Sequence, residues 1–423
     1  MEVSPANQAP RRIGSIDAMR GFVMFLMICV NDITYRQGDA QESIPHWLRH
    51  YEKSASGMTF VDVVFPAFLF LVGMSIPFAI GSRIKKGVAI WRILIDIVVR
   101  TLSLLLIGVF MVNDAFDSKT MGWPDSLWST LMYLFAILAF CSYAPRKNAG
   151  AKWNWGAMIV LGLRIVGFIG LLVLALVFRG ENGRRMVTLW PFSVHTAWFG
   201  ILGLIGWAYL LAAIAYLVFR DNRTALLGCA VLLMCLSPAT HGGKFDHWWL
   251  AGHVAIGTML GTQGAIAVFG VLLATILKTA DTAALWPRVR FTLFLILGLC
   301  IGAVLLKFNK REWGINKMKA TPAWALWSSA ITAGLWLVFY FLCDVSPARW
   351  LAKPFAIAGQ NVLLAYLLYN LMNPAIWLMR RYSWYERLAE PDLAHAIGRA
   401  AGSAVVILTI TALLNRLGFR LRI

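Results

Sequence analysis

A chain of 423 residues that is 59% hydrophobic and 14% charged, with mean hydropathy +0.68, departs from the roughly 45–50% apolar and about 25% charged composition of soluble domains. Those proportions exclude a water-soluble globular protein and place most of the chain in a bilayer. The net charge of +19 reads as attraction to a membrane surface and to an anionic small molecule, because the Lys and Arg sit in short loops and no nucleic-acid module is recognisable.

Apolar runs long enough, or nearly so, to cross a hydrocarbon core of about 30 Å as helices centre on Phe25, Phe70, Leu104, Phe135, Gly167, Gly206, Leu232, Ala265, Leu297, Leu335, Leu367 and Val406. The expected fold is all-α, a polytopic bundle of about 11–12 transmembrane helices forming one domain over 1–423. The run at Leu232 is short enough to re-enter rather than cross. Arg11 and Arg12 precede the first run, and no small-residue cleavage site follows before Asn31 and Asp32, so residues 1–14 read as a cytoplasmic tail ahead of an uncleaved first span. The basic segments RIKKG (83–87), PRKNAGAK (145–152), FRDNR (219–223), WPRVR (286–290) and NRLGFRLRI (415–423) then fall on the same side, as the positive-inside rule expects. The asymmetry is modest, because RGENGRR (179–185) and KFNKREWGINKMK (307–319) are basic and face outward. Positive charge there suits a phosphate-bearing donor, an acidic glycan or anionic lipid head groups.

Chemistry concentrates near the N-terminus. The runs SIDAMRGFVMFLMICVND (15–32) and MTFVDVVFPAFLFLVGMSI (58–76) bracket the polar loop IPHWLRHYEKSASG (44–57), and the ionisable or amide groups Asp17, Arg20, Asn31 and Asp62 need partners or a function at a membrane. Asp17 and Arg20, three residues apart, read as an internal ion pair, with a contact to cofactor phosphates as the alternative for Arg20. Asp96 and Arg100 have the spacing of a second pair, and Arg164 must find a carboxylate or water. Asn316 and Lys317 are donors suited to a phosphate or a sugar. Asn361 reads as an interhelical hydrogen bond or a substrate contact.

All seven histidines (46, 50, 195, 241, 247, 253 and 395) lie on or beside the outer face in this topology, and His253 joins Asn361 as a candidate for binding substrate. The six cysteines show no CxxC spacing and read as small buried hydrophobes. His241, Asp246, His247 and His253 lack tight ligand spacing, so no metal is expected. Most of the nineteen tryptophans suit an interfacial belt, with one or two available to stack on a sugar.

The opening pair of runs with the His50 loop resembles the start of the transmembrane acyltransferases related to heparan-alpha-glucosaminide N-acetyltransferase. GINKMKATPAWAL (314–326) is similar to that family's INK-x-x-x-T-P/S segment, and AKPFAIAGQNVLLAYLL (352–368) to its late P-x-x-x-x-G-x-N-x-L-x-x-Y helix. The resemblance covers nearly the whole chain, which lacks the large lumenal domain of the animal enzyme, as similar bacterial members do. It implies acetyl transfer from acetyl-CoA to an amino sugar or related glycan at the non-cytoplasmic side, here the periplasmic face of a bacterial inner membrane. It also implies that the essential histidine is His50 of Pro45-His46-Trp47-Leu48-Arg49-His50, upstream of Gly57, Thr59, Asp62, Phe65 and Pro66. The spacer from His50 to Gly57 is longer than the family's and lacks its tryptophan, which leaves His46 as the alternative.

The residues support that chemistry on their own terms. A protonated amine acceptor needs a base near neutral pKa, which imidazole supplies, or the imidazole carries the acetyl group itself. Asn31 is a candidate oxyanion donor or a helix cap. Asp62 is a candidate orienting partner of His50 or the partner of a buried arginine such as Arg100. Expected partners are acetyl-CoA, a small sugar or glycan, membrane lipids and no nucleic acid, with a homodimer admissible. The competing classes are a carrier for an anionic or sugar-linked substrate, although the sequence shows no obvious internal repeat and no matched pair of broken helices, and a non-catalytic scaffold.

Overall fold

Twelve helices stand where the apolar runs predict them. In the computed structural model they are α1 (Gly14–Thr34), α2 (Val61–Lys85), α3 (Ile90–Val112), α4 (Asp125–Ala139), α5 (Trp155–Val177), α6 (Gly200–Phe219), α7 (Arg223–His241), α8 (Ile256–Leu277), α9 (Leu285–Lys307), α10 (Pro322–Val345), α11 (Lys353–Leu378) and α12 (Leu393–Arg416). Residues 14–34, 44–52, 55–112, 117–143, 155–180, 185–189, 192–194, 198–278, 285–307, 314–346, 350–389 and 392–421 are described. Arg11, Arg12, the 145–152 segment, Trp190, His195, Trp313 and the central residues of both outer basic clusters lie outside them.

Among the described residues ten helices are long and apolar enough to cross a membrane. The other two are α1, whose 21 residues carry Asp17, Arg20 and Asp32, and α4, with 15 residues. The segment at Leu232 is a full-length α7 of 19 residues. α8 is the centre of the bundle, with 94% of its apolar window buried, and α2 follows with 72%. The outer helices turn Leu102, Leu172, Leu232 and Phe294 outward, as a lipid-facing surface should.

Close approach of α2 and α8 depends on two glycines that face each other's backbone. A Cβ on Gly73 would stand 1.9 Å from the Ala267 carbonyl oxygen, and one on Gly270 2.0 Å from that of Phe70. Small residues at such crossings replace the hydrophobic driving force that lipid does not supply. Gly73→Ala or Gly270→Ala is therefore expected to cost at least about 3 kcal/mol, the upper part of the overpacking range, because the obstacle is backbone. Gly402→Ala, with nothing within 4 Å of the new Cβ, is the control, and the midpoint of thermal unfolding in detergent reads all three.

α1 packs on the start of α11 and on α12, α2 and α10. Two short antiparallel pairs complete the fold: β1 (Cys141–Tyr143) with β4 (Phe419–Leu421), and β2 (Val187–Leu189) with β3 (Phe192–Val194).

Three expectations change. Asp96 pairs with Arg83 across the α2–α3 turn rather than with Arg100, and Arg100 stacks on Tyr209, 4.7 Å from the ring centroid. Arg164 pairs with no carboxylate among the described residues and donates to the Ala139 carbonyl at 3.2 Å, a free acceptor because α4 ends there. Cys235 is exposed on α7, while Cys141 is buried and the other four cysteines are half-buried. Arg179, counted among the outer basic residues, donates to the Leu176, Val177 and Phe178 carbonyls and so caps the C-terminal end of α5.

Candidate active site

At the end of the bundle where α1 stops and α2 starts, the 44–52 loop brings the His50 ring against Asp62. Nδ1 of His50 stands 2.9 Å from Oδ1 of Asp62. Asp62 is in the first turn of α2, where the helix dipole favours a carboxylate. Its other oxygen accepts the Tyr51 and Thr59 backbone N–H groups, each at 3.1 Å, and the Thr59 hydroxyl at 3.2 Å. Asp62 thus supplies one half of the contact that marks a helix start, its carboxylate reaching back to the Thr59 N–H, while the Asp62 N–H goes to the Thr59 carbonyl at 3.1 Å. Only 1% of the Asp62 side chain is exposed, against 50% for His50. A buried, immobile acceptor thereby holds a ring whose far nitrogen, Nε2, is left for chemistry.

The third member comes from 255 residues further along. Lys317 Nζ lies 3.0 Å from His50 Nδ1 and 3.5 Å from Asp62 Oδ1. Burial pulls its ammonium below the ordinary lysine value, and the attraction of Asp62 works against that fall.

Residues 314–321 can deliver this lysine because they are folded on themselves. The Asn316 N–H donates to Thr321 Oγ1 at 3.0 Å, the Thr321 N–H to the Asn316 carbonyl at 3.1 Å, and the Lys319 N–H to Asn316 Oδ1 at 2.9 Å. Ala320 closes the turn at φ +44, and Pro322 then opens α10 in the position where its missing N–H is harmless. The segment docks on the His50 loop through Gly57 N–H to the Ile315 carbonyl (2.8 Å), Ile315 N–H to Ser56 Oγ (3.0 Å) and Asn316 Nδ2 to the Ala55 carbonyl (3.2 Å). Gly57 is required where it stands, since a Cβ would sit 2.2 Å from the Tyr51 ring. Trp324 Nε1 donates to the Asp62 carbonyl at 3.2 Å, fixing α10 to the same turn.

The structure separates the two histidines of the loop. His46 is exposed, with its ring edge-on to Tyr51 at 5.2 Å between centroids, and pairs with no carboxylate among the described residues. His241 bonds the Ser237 carbonyl within its own helix, and His395 pairs with the exposed Asp392 at the start of α12. His253 stands at the same end of the bundle, tilted against Trp249 at 6.3 Å, and is not brought to the dyad.

Asn31 is half-buried in the last turn of α1. Beside it, sequence reasoning passed over Asp32, whose carboxylate is 2% exposed and accepts Arg399 Nε at 2.9 Å and the Tyr385 hydroxyl at 2.7 Å. This buried pair anchors the end of α1 to α12, and the signal for it was an acid at the edge of an apolar run.

A cavity of about 360 Å³ lies deeper, between α1, α2, α3, α6 and the α11 turn. Arg20, Arg100 and Asn361 line it together with Met27, Phe68 and Tyr366. Arg20 is paired with Asp17 at 3.6 Å and also donates to Ser75. Arg100 Nε is buried and has no hydrogen-bond partner among the described residues. Asn361 uses its side chain on the C-terminal strand, donating to the Phe419 carbonyl at 3.4 Å and accepting the Leu421 N–H at 3.3 Å. From Asp62 to Phe68 is about 9 Å along α2, at 1.5 Å per residue. Among the described residues no three metal-type side chains converge.

Residues 12–237, just over half of the chain, match the family described as "Domain of unknown function (DUF5009)". The sequence is also 34% identical over 128 residues to heparan-alpha-glucosaminide N-acetyltransferase of Homo sapiens, covering 29% of this chain and 18% of that protein. It is 32% identical over 141 residues to the protein of the same name from Mus musculus, covering 32% of this chain and 20% of the relative. The chain therefore spans about a fifth of the length of the curated relatives it matches.

Proposed function

The chain belongs to the DUF5009 family, and from that premise we propose that it is a membrane-embedded acetyltransferase that moves an acetyl group from acetyl-CoA to an amino sugar or related glycan. The observation that carries the reading is the half-exposed His50 ring held by the buried Asp62 at the rim of an apolar bundle. The likeness to two N-acetyltransferases supports it.

With Nδ1 donating to Asp62, Nε2 carries the free lone pair. It takes the proton from the acceptor amine, or it carries the acetyl group before the amine does; both routes use the same atom. Asp62 fixes the tautomer and stabilises the imidazolium. Asn31, on the last turn of α1, is the candidate donor to the tetrahedral oxyanion.

The cavity supports a route for the donor from the opposite end of the bundle. Its volume is within the range of small-molecule sites, its walls are largely apolar, and the guanidinium of Arg100 among them suits an anionic group. Acetyl-CoA supplies an activated thioester; Arg20 and Arg100 would hold its phosphates, while Met27 and Phe68 line the way towards His50. Asn361 shapes the floor of that cavity. Asn316 and Lys317 act at the reacting end, and His253 lies on the face from which an acceptor would approach. In this reading the His50 end faces the periplasm of a bacterial inner membrane.

Detergent-purified protein incubated with radiolabelled acetyl-CoA and a panel of amino sugars is expected to yield labelled sugar. Substrate flux in proteoliposomes without covalent change would instead establish the carrier. Arg20→Met and Arg100→Met are each expected to raise the KM for acetyl-CoA about tenfold, the worth of one charged hydrogen bond, with a smaller change in kcat. An unchanged KM in both would remove the phosphates from this cavity.

A further inference from the structure

We propose that Lys317 is a positioning residue whose ammonium offsets the field of Asp62 at His50 and so opposes protonation of the ring that Asp62 holds. The purpose of this role rests on the acetyl-transfer reading, but its test does not.

Three atoms form a small triangle: Nδ1 of His50 is 2.9 Å from Asp62 Oδ1 and 3.0 Å from Lys317 Nζ, and the latter two are 3.5 Å apart. Nδ1 has either a proton or a lone pair, so it cannot donate to the carboxylate while accepting from the ammonium. When it donates to Asp62, Lys317 also turns a proton to that carboxylate and stands beside the ring as an unbonded positive charge. When it accepts from Lys317, the proton moves to Nε2 and the base is lost. Charging the ring in either arrangement places imidazolium about 3 Å from an ammonium.

A carboxylate alone at this distance would favour imidazolium, a ring that no longer serves as a base at neutral pH. An opposite charge at nearly equal distance removes most of that bias and leaves the orienting hydrogen bond in place. The remaining charges around the ring do not substitute for it. On its own loop stand the half-buried Arg49 and Tyr51 and the exposed His46 and Glu52; from α1, Asp32 is consumed by Arg399 and Tyr385; and Lys319 of the docked segment is exposed. Lys317 is 23% exposed and held by a segment folded around Asn316 and Thr321, which makes its position a property of the fold.

The test reads protonation directly. Diethyl pyrocarbonate attacks only unprotonated imidazole, and peptide mass spectrometry of the full-length protein separates His50 from His46. Across pH 5 to 8, Lys317→Met is expected to move the midpoint of His50 labelling upward by about one pH unit, because loss of the positive charge stabilises imidazolium. Lys317→Arg should stay near the parent chain, and His46 should not move in either. Lys317→Gln, one atom shorter but still a neutral hydrogen-bond donor, gives the same upward shift and serves if the Met variant does not fold. An unmoved or lowered His50 midpoint in both neutral variants overturns the proposal. Acetyl transfer with an unmoved midpoint sinks this role alone; the shift without any transfer sinks the enzymatic reading alone.

Discussion

His50→Ala is expected to lower acetyl transfer at least about 100-fold, the contribution of a positioned general acid–base, while His46→Ala keeps a rate near that of the parent chain. Both residues are on the same loop and both are exposed to some degree, so accessibility does not separate them. What separates them is the partner: His50 Nδ1 meets the buried Asp62 at 2.9 Å, whereas among the described residues His46 meets the edge of Tyr51 and no carboxylate. A base whose tautomer no partner fixes divides its proton between the two nitrogens, and only one arrangement leaves the reacting nitrogen free. Initial rates with labelled acetyl-CoA, at saturating donor and acceptor, measure the difference. A full loss in His46→Ala with His50→Ala active would transfer the role to His46 and leave the reaction class standing. Equal activity in both would remove histidine from the mechanism.

Asp62→Ala is expected to damage both stability and rate. Five donors converge on this one carboxylate: His50, Lys317, the Tyr51 and Thr59 N–H groups and the Thr59 hydroxyl. Removing it leaves Lys317 unpaired in a mostly buried setting and frees the first turn of α2. Breaking a buried pair by deleting one partner costs about 3–5 kcal/mol; the half-exposed His50 points to the lower figure, about 3 kcal/mol. Asp62→Asn retains volume and one acceptor oxygen, so its loss of stability should be smaller than its loss of rate. Unfolding midpoints in detergent beside kcat separate the two effects. If Asp62→Asn transfers acetyl at the parent rate, the carboxylate is structural only.

The histidine loop shows how far sequence reading reaches into the site. His50 and Asp62 are twelve residues apart and flank the start of one helix, so their meeting follows from local geometry. Lys317 was legible as a donor for a phosphate or a sugar but not as a neighbour of His50, because no spacing connects residue 317 to residue 50. The connection is made by the Asn316–Thr321 turn docking on Ser56 and Gly57, contacts between segments far apart in the chain. Asp32 was visible as an acid at the edge of an apolar run, yet its partners Arg399 and Tyr385 stand more than 350 residues away. Arg100 illustrates the opposite failure: an attractive i, i+4 spacing with Asp96 gave way because Arg83, across a tight turn, reaches that acid.

The sequence by itself determined that the chain is built for a bilayer, where along it the helices stand and which residues are candidates for chemistry. Each of those follows from hydrophobic length and from the cost of polar groups in lipid, which are properties of short windows. Only the tertiary structure decided which charges pair, which histidine is held and where a cavity opens. Those outcomes depend on how helices without a hydrophobic driving force between them settle on glycines and buried polar bonds, and such contacts join residues that no window contains.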